Sequence, residues 1–422
     1  MDAGHLVLAR KYRPQKFSEV VKQQIAVKAM QNAIESGRLG SAYLFFGPRG
    51  VGKTTLARIL AKRVNCTSPE NGEPCDKCES CLSILQGNSL DVIEIDAASH
   101  RGIQNIRELR ENVKFQPMAA KKKVYIIDEV HMLTTESFNA LLKTIEEPPP
   151  FVLFVLATTE FNKIPETILS RCQVFALRKV PLKVVQDYLK TLCDSENIPA
   201  EDEALFWIAR KGDGSVRDSL SFLEQAAVYT DRKITAEQVK ELIGAYPLDH
   251  FLDLLLALLN PDSDAPAMMK PVQEVFVTGG DLGRFVWEFC DFLRTAIHIK
   301  HGIEDTEFLG IPGSDIQKIR ESTADVDSVR MTVIFDHIYE LLTKAHTIRL
   351  RNSYENRILI EIELLSLREK LTRPSLSSVL TRLSRLSAAV SQGATYSPES
   401  ELQKKFLGTV VDPSSIPDIG KQ

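Results

Sequence analysis

Residues 42–64 read AYLFFGPRGVGKTTLARILAKRV. The run from Ala42 to Phe46 is short, apolar and aromatic-rich and stops at a glycine, as a buried parallel strand does. Leu56, Ile59, Leu60 and Val64 then recur at helical spacing. Between strand and helix, Gly47, Gly50, Gly52, Lys53 and Thr54 meet every specified position of G-x-x-x-x-G-K-[ST]. A loop of this kind presents backbone N–H groups to phosphate at a helix N-terminus. The expected binding set is Gly47, Pro48, Arg49, Gly50, Val51, Gly52, Lys53, Thr54 and Thr55, with Lys53 on the β and γ phosphates and Thr54 on Mg²⁺. A glycine-rich turn of no function is the alternative, and the strand and helix on the correct sides argue against it.

A site that hydrolyses a nucleotide also needs carboxylates, and KKKVYIIDEVHML at 121–133 supplies a pair. Val124 to Ile127 read as a strand that delivers Asp128 and Glu129 at its carboxyl end, the ligand edge of a parallel sheet. Asp128 would fix the metal, and Glu129 would orient and polarise the attacking water. Phe151 to Ala157 read as another strand, ending in Thr158 and Thr159, where a hydroxyl can report on the γ phosphate. Ser170, Arg171 and Cys172 close the helical stretch that follows. Taken alone, Arg171 is an exposed helix-end arginine.

At 422 residues the chain exceeds the roughly 250 to 300 that one core can serve, so two or three domains are expected. Apolar residues at 44% and charged residues at 26% give the balance of a folded globular protein. No apolar run reaches the roughly 18 residues of a membrane span, and the start, MDAGHLVLARKYRP, lacks a leader pattern, so the expected compartment is the cytoplasm. Net charge is only −4, yet residues 1–63 hold twelve Lys and Arg against three Asp and Glu. That surplus fits a phosphate pocket on a solubilised surface or a face that meets a polyanion.

The combination of ARKYRP (9–14), GPRGVGKT (47–54), YIIDEVHML (125–133), FNALLKTIEEPP (138–149), LATTE (156–160), LSRCQ (169–173) and GSVRDSLSFLEQA (214–226), with a cysteine cluster between, resembles the gamma/tau family of bacterial DNA polymerase III clamp-loader ATPases. The likeness covers about residues 6–245; beyond that it rests on helical character and length. It implies an α/β AAA+ P-loop domain at 1–181, a parallel sheet with helices on both faces and a zinc module at 66–81. An all-α lid at 182–245 and an all-α oligomerisation collar at 246–371 would follow. The activity implied is ATP-driven opening of a sliding clamp, with hydrolysis and release on primer-template DNA. The implied partners are delta and delta-prime type subunits, further copies of the chain, the clamp, and DNA held through its backbone. Polymerase and helicase would be further partners, bound by extra domains of the longer family product for which no room is expected in this chain. Carried over by position, Thr159 is the first sensor, Arg171 completes a neighbouring subunit's site, and Arg217 reaches from the lid to its own γ phosphate. Two positions depart from the family: Lys22 stands where glycine is usual and Ser41 where histidine is, both near the adenine side of the pocket.

Four of the seven cysteines, Cys66, Cys75, Cys78 and Cys81, fall in CTSPENGEPCDKCESC at 66–81. Two-residue spacings let thiolates converge on one tetrahedral ion, and the Pro, Gly and Asn of the longer spacer let the chain turn back. The family carries zinc here. A disulfide is disfavoured in a reducing compartment, and a redox C-x-x-C pair leaves two cysteines unexplained. Four thiolate ligands leave no open position, so the ion is expected to be structural. Cys172, Cys193 and Cys290 read as isolated small apolar residues.

The helical pattern IQNIRELRENVKF at 103–115 sets Ile103, Ile106, Leu109 and Val113 on one side and Arg107, Arg110 and Lys114 on the other. By resemblance Arg101, Arg107 and Lys143 follow the phosphate backbone of duplex DNA; a solvated basic face is the plain alternative. From 372 the chain turns Ser-rich and is expected to be a flexible tail. Two rival functions remain at this stage: a scaffold subunit with a dead site, against which the intact phosphate loop speaks, and a helicase, suggested by D-E-x-H at Asp128 to His131, which would need a second motor core or a translocating hexamer.

Overall fold

The computed structural model describes residues 7–99, 103–231, 233–260, 263–348, 353–372 and 384. The expected tail thus lies almost wholly outside the described residues. The described chain divides into two units, Met1–Tyr246 with Gly302–Arg320, and Pro247–His301 with Glu321–Gln422. Gly302–Arg320, which the sequence reading counts with the collar, clusters with the first unit.

The first unit is built on five parallel strands: β1 (Ala42–Phe46), β2 (Val92–Asp96), β3 (Lys123–Asp128), β4 (Val152–Thr158) and β5 (Gln173–Ala176). Their order is β2-β3-β4-β1-β5, so β4 separates the phosphate-loop strand from the strand of the acidic pair. β1 pairs with β4 through Phe46 and Thr158, and β3 pairs with β4 through Ile127 and Leu156. The three carboxyl ends therefore lie side by side.

Alternation along the strands builds two cores. Leu44, Tyr125, Ile127, Phe154 and Leu156 face one side, against Ile106 and Leu109 of the helix Ile103–Asn112 and Phe138, Leu141 and Ile145 of the helix Thr135–Glu146. Tyr43, Phe45, Val124, Ile126, Leu153 and Val155 face the other, against Ala26 and Met30 of the helix Gln24–Glu35 and Leu56, Ile59 and Leu60 of the helix Lys53–Asn65. Because both faces are covered, the central strands read as nearly unbroken apolar runs. This is the AAA+ α/β architecture expected from the sequence.

Four helices, Leu182–Glu196, Asp202–Lys211, Val216–Tyr229 and Ala236–Ile243, share a separate core of Val185, Leu189, Leu205, Ile208, Leu220, Leu223 and Val239. Leu8 is buried in this core, with Ala9, Tyr12 and Val21 against it, so the first described turn of the chain, Leu8–Lys11, packs with the lid and not with the sheet. Lys11 and Tyr12 both bond Glu196 at the end of the first lid helix. Phe17, only five residues beyond Tyr12, is buried in the sheet's core. The segment 12–17 is therefore a short strap from lid to sheet.

The second unit holds the helices Leu248–Leu259, Ala265–Val277, Leu282–Lys300, Ser328–Ile348 and Ser353–Thr372, and Phe251 of the first meets Phe285, Phe289 and Phe292 of the third in an aromatic cluster. His337 of the helix Ser328–Ile348 is buried against Glu363 of the helix Ser353–Thr372. Among the described residues no single helix is long and apolar enough to cross a membrane.

Candidate nucleotide site and cysteine cluster

The loop from Gly47 to Gly52 folds as its glycines permit. Gly50 and Gly52 adopt φ of +74° and +104°, a region closed to most side chains. Gly50 also lies against the lid: a Cβ there would stand 1.8 Å from Ser215 Oγ. Ser215 caps the helix that carries Arg217, accepting from Asp218 N at 3.1 Å, so the phosphate loop touches the first turn of the lid's third helix. Arg217 is exposed on that turn, Arg49 is exposed on the loop, and Thr54 and Thr55 are half-buried at the start of the loop helix.

Lys53 is buried, and its Nζ donates to the carbonyl oxygens of Gly47 and Pro48, both at 2.8 Å. Burial lowers its pKa from the ordinary lysine value, with Glu129 and Asp128 pulling the other way. Thr54 Oγ1 donates to Asp128 Oδ2 at 2.6 Å, which ties the loop helix to the end of β3. Asp128 Oδ1 accepts from the Glu129 amide at 2.9 Å. Glu129 has a left-handed backbone, φ +46°, and its Oε2 accepts from Thr159 Oγ1 at 2.9 Å and Thr159 N at 3.2 Å. A non-glycine residue in that conformation at the mouth of a phosphate loop is the kind of local strain that collects at functional sites.

Lys53, Thr54, Asp128, Glu129 and Thr159 are thus brought to one edge, at a place where the strand order reverses between β4 and β1. The sequence reading missed His131 as a member. Its ring is almost fully buried, with Nδ1 at 3.0 Å from Thr158 Oγ1 and 3.3 Å from Glu129 Oε2, and Nε2 at 3.1 Å from Glu160 Oε1. The only signal was its place in the D-E-x-H string.

Arg171 lies elsewhere. It follows the short helix Glu166–Leu169, and its Nη2 pairs with Glu146 Oε1 at 2.6 Å, while Nη1 donates to Thr167 O at 2.7 Å. Arg107 and Lys143 are exposed on the two helices that share the Ile106, Leu109, Phe138 and Leu141 core; Arg101 lies outside the described residues.

Cys66, Cys75, Cys78 and Cys81 come together with all four sulfurs within 4.8 Å of one another. Tetrahedral Zn–S bonds of about 2.3 Å require sulfurs about 3.8 Å apart, so the cluster is of the right size for one ion. The Cys75 amide points at Cys66 Sγ and the Cys78 amide at Cys75 Sγ, each at 3.3 Å, as amides do that steady thiolates. Burial works against the Cys78 thiolate, but amide bonds from Thr67 and Cys81 outweigh it and bring its pKa to about 6. Burial and then Cys78 push Cys81 upward. The donor set suits a soft divalent cation. Cys193 and Cys290 are buried as read, and Cys172 is half-buried against the sheet's core.

Three family patterns match in succession: DNA polymerase III, delta subunit over residues 22–181; the DNA polymerase III clamp loader subunit, ATPase lid domain over 184–232; and DNA polymerase III subunits gamma and tau domain III over 234–383. The DNA polymerase III subunit tau/gamma of Haemophilus influenzae is 45% identical over 291 residues, 69% of this chain and 42% of that protein. The DNA polymerase III subunit gamma of Buchnera aphidicola is 44% identical over 256 residues, 61% of this chain and 69% of that protein. The subunit gamma/tau of Mycobacterium bovis is 35% identical over 390 residues, 90% of this chain and 66% of that protein. The aligned stretch spans less than half the length of the Haemophilus and Salmonella relatives, at 42% and 45%. Taken with the strand order, the lid and the phosphate loop, these likenesses establish that the chain belongs to the gamma/tau subunit family of DNA polymerase III.

Proposed function

We propose that this chain is an ATP-hydrolysing subunit of a cytoplasmic clamp loader, using ATP binding to open a sliding clamp and hydrolysis to release it on primer-template DNA during replication. The observation that carries the reading is the bond from Thr54 to Asp128, which joins phosphate loop and acidic pair in one site. In this reading Lys53 exchanges the carbonyl oxygens of Gly47 and Pro48 for phosphate oxygens. Magnesium held by Thr54 and Asp128 would neutralise phosphate charge and draw electrons from the terminal phosphorus. Glu129 takes the proton of the attacking water. Thr159, which holds Glu129 by hydroxyl and amide, is the residue a terminal phosphate would compete for, so that nucleotide releases the base only when the phosphate is in place. Arg217 approaches from the lid. Arg171 serves the site of an adjoining subunit, which requires it to leave Glu146.

The partners in this reading are delta and delta-prime type subunits, further copies of the chain and the clamp. DNA is held by its phosphates through Arg101, Arg107 and Lys143, with polymerase and helicase joined to the same assembly. Although polymerisation is the reaction class of the holoenzyme, the chemistry assigned to this chain is ATP hydrolysis. Zinc on Cys66, Cys75, Cys78 and Cys81 would supply folding energy to a segment poor in apolar residues. The test is hydrolysis by the reconstituted complex with clamp and primed DNA. Stimulated ATPase is expected, abolished by Lys53→Ala with assembly intact. A complex that assembles but shows no stimulated hydrolysis would make the chain a scaffold.

A further inference from the structure

The cysteine module is wired into the strap between lid and sheet. Glu73, two residues before Cys75, accepts the amides of Phe17 at 2.7 Å and Ser18 at 2.9 Å with its two carboxylate oxygens. Asp76, between Cys75 and Cys78, forms an ion pair with Lys62 on the phosphate-loop helix. Lys62 is almost wholly buried, and its Nζ also donates to Gln15 Oε1 at 3.0 Å and Gln15 O at 3.3 Å. Arg63, next on the same helix, donates to Gly72 O at 3.0 Å. Two acidic residues that flank metal-ligand positions therefore clamp residues 15–18 to the helix that begins with Lys53.

Little else holds those two carboxylates in place. Between Cys66 and Cys78 the chain has two prolines and no large apolar residue. Asn71, Gly72 and Asp76 take left-handed backbones, with φ of +50°, +78° and +58°, and a single two-residue bridge joins Glu70 and Glu73. A loop with so little burial and such backbone angles would take its shape from bonds between Cys66, Cys75, Cys78 and Cys81 and a metal.

The strap in turn reaches the pocket. Arg13 precedes the clamped residues by two positions, and burial, followed by the charge of Arg58, lowers its pKa, with Glu94 opposing and Arg217 adding to the fall. Arg58 is engaged by Glu94 through two bonds of 2.8 Å. Tyr12 holds the lid at Glu196, and Phe17 packs in one core with Val51 of the phosphate loop.

We propose that the four-cysteine module is a clasp on the nucleotide pocket: with its metal bound, Glu73 and Asp76 fix residues 13–18 between lid and phosphate-loop helix, and so raise affinity for nucleotide. The claim rests on the nucleotide reading of the pocket for its second half only. Coupling between two sites is reciprocal, so bound nucleotide must retain the metal by the same factor.

The test uses the full chain loaded with zinc, and two readouts. Amide hydrogen exchange at Phe17 and Ser18 follows the clasp itself; the dissociation constant for ADP carrying a fluorescent ribose label follows the pocket. Glu73→Ala keeps all four thiols and is expected to keep its zinc. It should lose protection at both amides and bind the nucleotide about five- to ten-fold more weakly. Stripping zinc from wild type with a chelator should do the same. Zinc-loaded Glu73→Ala with wild-type protection and wild-type affinity would overturn the proposal; this variant decides alone if stripping unfolds the module. Should wild type bind no nucleotide, the pocket reading fails, while the amide exchange still accepts or rejects the clasp.

Discussion

The contact between Gly50 and Ser215 joins phosphate loop to lid, and Gly50→Ala tests it. The new Cβ would stand 1.8 Å from Ser215 Oγ and 2.9 Å from Ser215 Cβ, so the lid's capping residue must move. Holding alanine at φ +74° costs roughly 1 kcal/mol, and displacing the Ser215 cap from Asp218 N costs about 1 more. A loss of about 2 kcal/mol is therefore expected in urea unfolding of the first unit. Trp207 of the lid reports it by fluorescence in a background with Trp287→Phe, since the chain has two tryptophans and Trp287 lies in the second unit. The decisive variant is Gly50→Ala with Ser215→Gly. Glycine remains an acceptable cap at a cost of a few tenths of a kcal/mol and removes both obstructing atoms, so the double change should be milder than Gly50→Ala alone. Additivity within about 0.5 kcal/mol is the behaviour of residues that do not touch, and would refute the contact.

Arg171→Ala subunits mixed with wild type should lower ATPase in proportion to the sites that receive the altered arginine, leaving nucleotide affinity of the isolated chain unchanged; full activity in an assembly whose every copy carries Arg171→Ala would make it a surface residue. Cys193 is buried, and burial followed by Asp194 pushes its pKa up to about 11 from an ordinary value near 9. The stability it confers is present below about pH 9 and lost as pH rises toward 11, by up to about 3 kcal/mol, so urea midpoints should fall across that window and Cys193→Ala should flatten the slope. Lys22 has φ +58°, where glycine is free of the roughly 1 kcal/mol a side chain incurs but gives back about 0.4 to 1 in unfolded-chain entropy. Lys22→Gly should accordingly change stability by less than about 0.5 kcal/mol, and Lys22→Val should destabilise by more than about 1; equal stability of all three would deny the left-handed turn.

Local chemistry made the centre of the site legible. A strand, a glycine loop and a helix announce themselves within 42–64, and an acidic pair after four apolar residues announces a strand end. What could not be read was pairing between distant segments. Nothing in 152–158 states that β4 inserts between β1 and β3, yet that insertion is what places Thr159 within 2.9 Å of Glu129. Leu8–Lys11 is a single turn, too short for any period to reveal an apolar face, so its burial in the lid core left no trace in the pattern. Lys22 shows a middle case: that the family usually has glycine there was visible, but the left-handed backbone in which glycine is unstrained was not.

Counting charge says least where the cations do internal work. The twelve Lys and Arg of residues 1–63 read as a surplus that some outside polyanion could balance. Two of them, Lys53 and Lys62, are buried, one against carbonyl oxygens of the phosphate loop and the other against Asp76 and Gln15. Arg58 is matched by Glu94, Lys11 by Glu196 and Arg63 by the Gly72 carbonyl, partners 36, 185 and 9 residues away. Part of a surplus counted over a window of sequence is thus matched inside the fold, while Arg10, Lys22, Lys28, Arg38 and Arg49 stay exposed. Arg107, Arg110 and Lys143, exposed on the helices over the opposite core, come from segments whose sequence showed no such excess. Where a protein meets a polyanion is decided by which charges folding leaves unmatched on one surface, and that is a property of topology before it is one of composition.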